Sequence, residues 1–400
     1  MDYSERSIFR FIGNKIDWKI IFIKIFKHFL HKKGGIYLLA ADETVEGKSG
    51  KATFGVGHFY SSIFQTAIRS VCLFGFSLIE VDTKKSYFMG FEQVVYTDKD
   101  RAQIAANKAR KAAGKGKPKG RKKGTKNTPK VVTDDNETAT FRAFKGFFVE
   151  IMSLFSTIIP ELSLSYLVVD SAYGNLQYLK LAKEKGLFVL SKLRASPALF
   201  FNYEGEKSKT KPKKYGDKVD INNLARKYLI SVKKENEMVY QIYQYSAWNK
   251  EMSEFLLNVV SIVATNSKTG KAYHTHFFSN DMELSAEKMI EYYGLRFQIE
   301  FDFRETKQLF GLHKLKNYHQ IQMINMFHLA FLALLTARIW QNQWAEKLHN
   351  PNLSLLDLKS IFKAQWNLKN ALKLYKKDLS PFFIPDFIAN FVPEDLINAA

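Results

Sequence analysis

The sequence predicts an α/β fold in which helices flank a mixed β-sheet. Three apolar, strand-like runs come early in the chain: GIYLLAAD, SVCLFGFSLIEVD and KKSYFMGFEQVVYT. A strand, helix and strand follow in LSYLVVDSAYGNLQYLKLAKEKGLFVLSKLR, and from about Leu284 the chain turns helical. Strands that alternate with helices in this way are typical of an α/β protein.

Composition limits both the size of the core and the kind of partner. The chain has 400 residues, of which 46% are hydrophobic, so it can bury a large core with satellite segments around a central domain. Its net charge of +21 favours a polyanionic partner. Cys72 is the single cysteine and lies in an apolar run, which indicates a buried thiol, no disulfide framework and no Cys/His metal site.

Two apolar stretches raise the question of a membrane. The segment IDWKIIFIKIFKHFLHKK carries Lys every three to four residues, which predicts a short basic helical segment over residues 1–34. The run MFHLAFLALLTARIW is too short to cross a bilayer and is interpreted as a buried helix. We therefore expect no membrane association and a cytoplasmic location.

A basic stretch lies between the early strands and the segments that follow them. Residues 101–133 contain no acid, and 11 of the 23 residues from Lys108 to Lys130 are Lys or Arg. This composition predicts a disordered basic loop over residues 101–138 that contacts phosphate backbones, the alternative being a solubilising linker.

The second half of the chain changes character twice. ATFRAFKGFFVEIMSLFSTII predicts a helix that ends before Pro160, and residues 195–285 contain β-like runs typical of an antiparallel insertion. A long apolar helix is expected from about residue 319 to 345. The predicted domains are a segment 1–34, a core 35–330 that contains the basic loop and the insertion, and a helical C-terminal region 331–400.

The stretch EYYGLRFQIEFDFRETKQLFG, residues 291–311, predicts a helix with a polar column. At about 100° per residue, Arg296, Glu300 and Lys307 fall with Tyr293 inside an arc of about 60°. The opposite side is apolar and packs. A solvated face with an i,i+4 Arg–Glu pair would explain the column equally well.

Acids that follow strand-like runs are candidates for chemistry. Asp42 ends the first run, Asp82 ends the second, and Asp170 ends the first strand after the basic loop. An acid in this position commonly opens a turn or caps a helix, so position alone does not choose among them. The surroundings do, through DETVEGKSGKATFGVGHFYSS after Asp42, DSAYGN around Asp170 and the spaced set that contains Glu300.

These blocks resemble a known family. The spacing Tyr293-x2-Arg296-x3-Glu300-x6-Lys307 is similar to the Tyr-Arg-Glu-Lys signature of DDE-type insertion-sequence transposases, in the subgroup that forms DNA hairpins. The blocks around Asp42 and Asp170 resemble those that carry the first and second catalytic Asp of that family. The resemblance covers roughly residues 36 to 335.

The resemblance implies a ribonuclease-H-like mixed sheet with a β-rich insertion between the second Asp and the Glu. It implies that Asp42, Asp170 and Glu300 are catalytic and hold two Mg²⁺ ions, with Mn²⁺ as a substitute. Tyr293, Arg296 and Lys307 would bind DNA phosphates near these ions. Further candidate DNA-binding residues are Lys48, Lys51, Lys192 and Arg194, and Trp248 as a platform for a flipped base.

The implied activity is cleavage at the ends of an insertion sequence and strand transfer into target DNA through a hairpin intermediate. The implied partners are double-stranded element ends and target DNA, with a homodimer in the paired-end complex, in the nucleoid of a prokaryotic cell. Relatives usually place a helical end-recognition domain before the first Asp, and only 41 residues precede Asp42. The alternatives are therefore a truncated transposase acting as a DNA-binding regulator and a ribonuclease-H-like nuclease without strand transfer.

Overall fold

The computed structural model describes residues 5–114, 137–194, 197–205 and 213–374. In these residues the helices are α1 (Glu5–Gly13), α2 (Trp18–Phe29), α3 (Asp98–Ala112), α4 (Ala139–Ile158), α5 (Leu176–Glu184), α6 (Ala286–Leu295), α7 (Gln298–Leu309), α8 (Gln320–Lys347) and α9 (Leu355–Leu374). The strands are β1 (Ile36–Gly47), β2 (Gly57–Ser61), β3 (Thr66–Glu80), β4 (Lys85–Val94), β5 (Ser163–Val169), β6 (Phe188–Lys192), β7 (Leu199–Asn202), β8 (Tyr215–Lys218), β9 (Leu229–Glu235), β10 (Met238–Asn249), β11 (Leu256–Asn266) and β12 (Ala272–Ser279).

The described strands form one mixed sheet. Its order is β2-β3-β1-β5-β6-β12-β11-β10-β7-β8, with β4 paired to β3 and β9 paired to β10. Strands β1, β5 and β6 run parallel at the centre, whereas the other pairings are antiparallel. This architecture confirms the predicted α/β class with a mixed sheet flanked by helices.

Helices cover both faces of the sheet around β3. Phe74 and Phe76 of β3 pack against Phe144 of α4 on one face. Gly75 faces the other way, where an added Cβ would lie 2.8 Å from the Phe303 ring of α7. Side chains alternate between faces along a strand, so α4 and α7 lie on opposite sides of β3. The early strands that the sequence predicts, and α4, are confirmed; β2 was not predicted.

The N-terminal helices belong to the same core. Trp18, Phe22 and Phe26 of α2 are buried among the residues of the sheet core. Trp18 Nε1 donates a hydrogen bond of 2.7 Å to Asn325 of α8, whose amide donates to the carbonyl oxygens of Ile12 and Asn14. Within the segment 1–34, for which the sequence predicts a basic helical segment, the described residues form α1 and α2, and α2 packs as part of the core.

The predicted disorder of residues 101–138 is wrong at both of its described ends. Residues up to 112 belong to α3, which begins with a capping box between Thr97 and Asp100. The Ala-rich run RAQIAANKARKA favours a helix, and this helix needs no core because none of its residues is buried. At the other end, Thr138 caps α4 by accepting a hydrogen bond from the Phe141 N–H. Residues 115–136 lie outside the described part of the chain.

The later segments join the core rather than standing apart. Strands β7 to β12 continue the central sheet through the pairing of β12 with β6. The predicted boundary between residues 330 and 331 falls inside α8, and of the expected helical region 331–400, residues 375–400 lie outside the described part.

In the described residues, α8 is the helix long and apolar enough to span a membrane by length and composition. The run MFHLAFLALLTARIW lies within this helix, which matches the long apolar helix expected from about residue 319 to 345. Met323, Phe327 and Phe331 of this helix are buried in the sheet core, which is how a core helix of this composition packs.

Candidate active site

The parallel pairing of β1 and β5 places two candidate acids side by side. The register runs to Ala41 opposite Val169, so Asp42 and Asp170 are the next residues on the two strands. Both lie at the edge where the parallel strands β5 and β6 end. In open α/β sheets this edge is where ligands commonly bind.

Asp82, the remaining acid that follows a strand-like run, lies away from Asp42. Strand β1 does not end at Asp42 as expected but continues to Gly47. Strand β3 runs antiparallel to it, with Tyr37 opposite Glu80, so the exposed Asp82 lies at the other end of β1. Asp82 is therefore not part of this site.

The predicted single helix over residues 291–311 is two helices. Helix α6 ends at Leu295, and the chain passes through Arg296 and Phe297 before α7 starts at Gln298. The backbone N–H groups on either side of Gln298 bond to carbonyl oxygens three residues earlier, a tighter turn than the α-helix; the donors are Arg296, Phe297, Ile299 and Glu300. Gly294 sits in the last turn of α6, where its low helix propensity favours such a break.

The break leaves the polar column facing β1 and β5. Arg296 lies between two candidate ligands: Nη1 is 2.8 Å from Asp42 Oδ2 and Nη2 is 2.8 Å from Glu300 Oε1. Tyr293 donates a hydrogen bond of 3.3 Å to Asp170 Oδ1. The two helices thus connect all three carboxylates through an arginine and a tyrosine.

Lys307 extends this contact along β1. Its Nζ donates a hydrogen bond of 2.7 Å to the carbonyl oxygen of Val45 and lies 3.8 Å from a Glu46 carboxylate oxygen. Because Asp42 and Glu46 point to the same face of β1, α7 follows that face over several residues. The polar column of the sequence is therefore a contact surface with β1 and not a solvated face.

The electrostatics of the site follow from burial and from the grouping of acids. Burial raises the pKa of Asp42 to about 6, with Glu300 and Asp170 adding repulsion, while Arg296 and the Glu43 backbone N–H act in the opposite sense. Burial also raises the pKa of Tyr293 to about 12, so its hydroxyl stays protonated and donates to Asp170. Burial opposes the charge of Arg296, but Asp42, Tyr293 and Glu300 outweigh it and raise the pKa of that guanidinium.

Two features hold α7 close to the sheet. Gly75 is the register partner of Asp42, and its lack of a side chain lets the Phe303 ring approach β3. Asp302, which is fully buried, accepts hydrogen bonds of 2.8 Å from Ser77 and 2.5 Å from Ser86. These contacts position Glu300, which lies on the opposite side of the same helix.

The anchor at Asp302 was missed in the sequence, although a signal was present. At about 100° per residue from Tyr293, Asp302 falls near 180°, inside the apolar arc. A carboxylate on a packing face requires buried partners. The structure supplies the two serines and Arg338 of α8, whose Nη2 is 3.5 Å from Asp302 Oδ1.

The candidate DNA-binding lysines lie near the site but differ in their contacts. Lys192 ends β6, one strand from Asp170, and Arg194 follows it as an exposed side chain. Lys51 is exposed in the loop after β1. Lys48 is engaged within the protein: its Nζ donates to the carbonyl oxygen of Leu315.

The structure does not bring Trp248 to the three acids. Followed across the sheet, the register level of Asp170 reaches Gln244 on β10, four strands away, and Trp248 lies four residues beyond. This is roughly 19 Å across the sheet and 13 Å along it. One face of the Trp248 ring is covered by Lys214 Nζ, 3.6 Å from the ring centroid.

The donor set at this edge suits a hard divalent cation. Among the described residues, no group of three or more His, Cys, Asp or Glu side chains is already spaced to share one ion. Asp42, Asp170 and Glu300 nevertheless supply oxygen ligands of the kind Mg²⁺ and Mn²⁺ prefer. Burial first, and then repulsion from Glu300 and Asp170, raise the pKa of Asp42, and a bound cation would offset both effects.

Part of the chain matches a known protein family. Residues 148–336 match the family model described as Transposase DDE domain. The match supports a DDE-type transposase. None of the curated proteins matches the chain.

The matched transposase domain contains Asp170 and Glu300 but not Asp42, which lies more than a hundred residues before it. The pairing of β1 with β5 nevertheless places Asp42 beside Asp170. Transposases act on DNA, which agrees with the basic charge of the chain. The DDE family generally uses divalent metal ions.

We predict that Asp42→Asn stabilises the metal-free protein at neutral pH. A raised folded-state pKa means that the contribution of Asp42 to stability is present below about pH 4 and is lost as the pH rises through about 6. The shift corresponds to on the order of 2–3 kcal/mol. Urea unfolding with EDTA should show Asp42→Asn more stable than the wild type at pH 7.5 and equal to it near pH 4.

The exposed Asp82→Asn is the matched control and should follow the wild type at both pH values. A loss of stability in Asp42→Asn at pH 7.5 would contradict the prediction, because it would show that the pair with Arg296 outweighs burial and repulsion.

Proposed function

We propose that the protein is a DNA transposase of an insertion sequence, which cleaves phosphodiester bonds at the element ends and transfers the strand into target DNA. The observation that carries the proposal is the meeting of Asp42, Asp170 and Glu300 at one edge of the sheet, with Arg296 between Asp42 and Glu300. The family match over residues 148–336 supports the same reaction class.

The three carboxylates would hold two Mg²⁺ ions, with Mn²⁺ as a substitute. When bound, such ions make water or a 3′-hydroxyl nucleophilic and stabilise the leaving oxygen. Arg296 presents its fork of N–H donors at the same place, so a phosphate lying against Asp42 and Glu300 would share this guanidinium. Tyr293 orients Asp170 through its hydroxyl.

The proposal includes a hairpin intermediate and a homodimer that holds two element ends, in the nucleoid of a prokaryotic cell. A hairpin requires a base to leave the stack, and an exposed aromatic ring near the cut lowers that cost. Phe297 is 48% exposed and directly follows Arg296, whereas Trp248 lies far across the sheet. We therefore assign the stacking role to Phe297 in place of Trp248.

We predict that Glu300→Gln abolishes cleavage and leaves DNA binding intact. The substrate is a duplex that carries the DNA flanking the gene, incubated with Mg²⁺ or Mn²⁺. The rate should fall by more than about 100-fold, since loss of an outer partner of a metal site alone costs about 10- to 100-fold. Binding should stay within about twofold in a gel-shift assay, because Glu300 carries no positive charge for phosphate.

Glu291→Gln is the matched control, since Glu291 is exposed on α6 and makes the same change of charge. It should cleave like the wild type. Binding without cleavage by the wild type would point to a regulator, and cleavage without strand transfer would point to a nuclease.

We predict that Phe297→Ala reduces hairpin formation and that Trp248→Ala does not. Hairpin ends are read on a denaturing gel, where the joined strands migrate as one long product. The first nick should persist in Phe297→Ala, because the three carboxylates and Arg296 remain in place. Loss of hairpins in Trp248→Ala alone would restore the stacking role to the tryptophan.

A further inference from the structure

A basic cleft opens beside the candidate active site. It has a volume of about 740 Å³ and lies between the loop Gly47–Thr53 after β1 and the segment His313–Tyr318 after α7. Its lining includes four lysines and one histidine and no Asp or Glu. These basic residues are Lys48, Lys51, His313, Lys314 and Lys316.

The two walls of the cleft are joined by specific contacts. Lys48 Nζ donates to the carbonyl oxygen of Leu315, and the Phe54 N–H donates a hydrogen bond of 3.0 Å to the carbonyl oxygen of Tyr318. Lys48 also lies 5.2 Å above the Phe327 ring of α8. The cleft is therefore a fixed feature of the fold, and Lys48 helps to hold it.

The remaining lysines are directed to solvent. Lys51, Lys314 and Lys316 are exposed. Tyr318 is 49% exposed at the rim, where its ring lies 4.2 Å from that of His319. Exposed lysines without an acidic neighbour in the lining attract an anion that is extended rather than compact, because the charges are spread along both walls.

The cleft lies in line with the catalytic edge. Strand β1 runs without a break from Asp42 to Gly47, five residues later, so the cleft is roughly 17 Å from Asp42. Lys307 lies between them, on the carbonyl oxygen of Val45. Cationic side chains thus continue from Arg296 through Lys307 to the cleft.

We infer that this cleft binds the phosphodiester backbone of the DNA strand that is cut, about five nucleotides from the scissile phosphate. The spacing follows from roughly 17 Å along β1 and about 3.4 Å of helix axis per phosphate of one strand. The inference rests on the proposed function for the position of the scissile phosphate. Backbone contacts of this kind fix the register of the DNA without reading its sequence.

The test compares Lys51→Ala/Lys316→Ala with the matched pair Lys33→Ala/Lys185→Ala. Lys33 and Lys185 lie before β1 and β6, at the opposite end of the parallel strands. Fluorescence anisotropy with the duplex substrate is measured from 50 to 200 mM salt. Two lost phosphate contacts should lower the slope of log K against log salt by about 1.8, so that the loss of affinity over this range is about twelvefold smaller.

A second arm locates the contact. Single neutral methylphosphonates are placed four to six nucleotides on either side of the cut. One of these positions should weaken binding by the wild type and by Lys33→Ala/Lys185→Ala, and should have no further effect on Lys51→Ala/Lys316→Ala.

The inference would be overturned if the cleft variant kept the wild-type slope, or if the slope fell by the same amount in Lys33→Ala/Lys185→Ala. This holds even if the wild type cleaves the substrate. If the slope falls in the cleft variant but the wild type never cleaves the substrate, the cleft is retained as a DNA site and the proposed function is rejected.

Discussion

The candidate active site depends on the contact between α7 and β1. Three carboxylates that meet at one edge of a sheet repel one another, so the chain must hold them together. Arg296 does this for Asp42 and Glu300 with two contacts of 2.8 Å, and Tyr293 ties Asp170 to the same pair of helices. The contact exists because Gly75 leaves room for Phe303 next to Asp42 and because the buried Asp302 fixes α7 to β3 and β4.

The central sheet provides the other half of the site. Parallel pairing of β1 and β5 brings Asp42 beside Asp170 although 128 residues separate them in the chain. Strand β1 then continues past the site and carries the contact with Lys307 and the loop that forms the basic cleft. One strand thus links the candidate catalytic edge to the surface that we assign to the DNA backbone.

Much of this arrangement follows from local patterns in the sequence. The apolar runs predict β1, β3, β4 and β5, and the helical spacing places Tyr293, Arg296 and Glu300 on one face. The sequence does not predict the break at Arg296, because Gly294 is its only local signal. It does not predict α3 either, because the basic, acid-free composition of residues 101–133 outweighs the capping box between Thr97 and Asp100. The distant position of Trp248 depends on how the strands pair across the sheet, which one sequence does not reveal. The anchor at Asp302 depends on partners from β3, β4 and α8 that only the folded chain assembles.

If Asp42, Asp170 and Glu300 hold divalent ions together, Fe²⁺ bound at this site should cleave the polypeptide next to all three residues. Loading the protein with Fe²⁺ and adding ascorbate and peroxide generates hydroxyl radicals there. We expect backbone cuts near residues 42, 170 and 300, competed by Mg²⁺ and lost in Asp42→Asn. Cuts confined to one of these segments, or cuts elsewhere that Asp42→Asn leaves unchanged, would contradict this expectation.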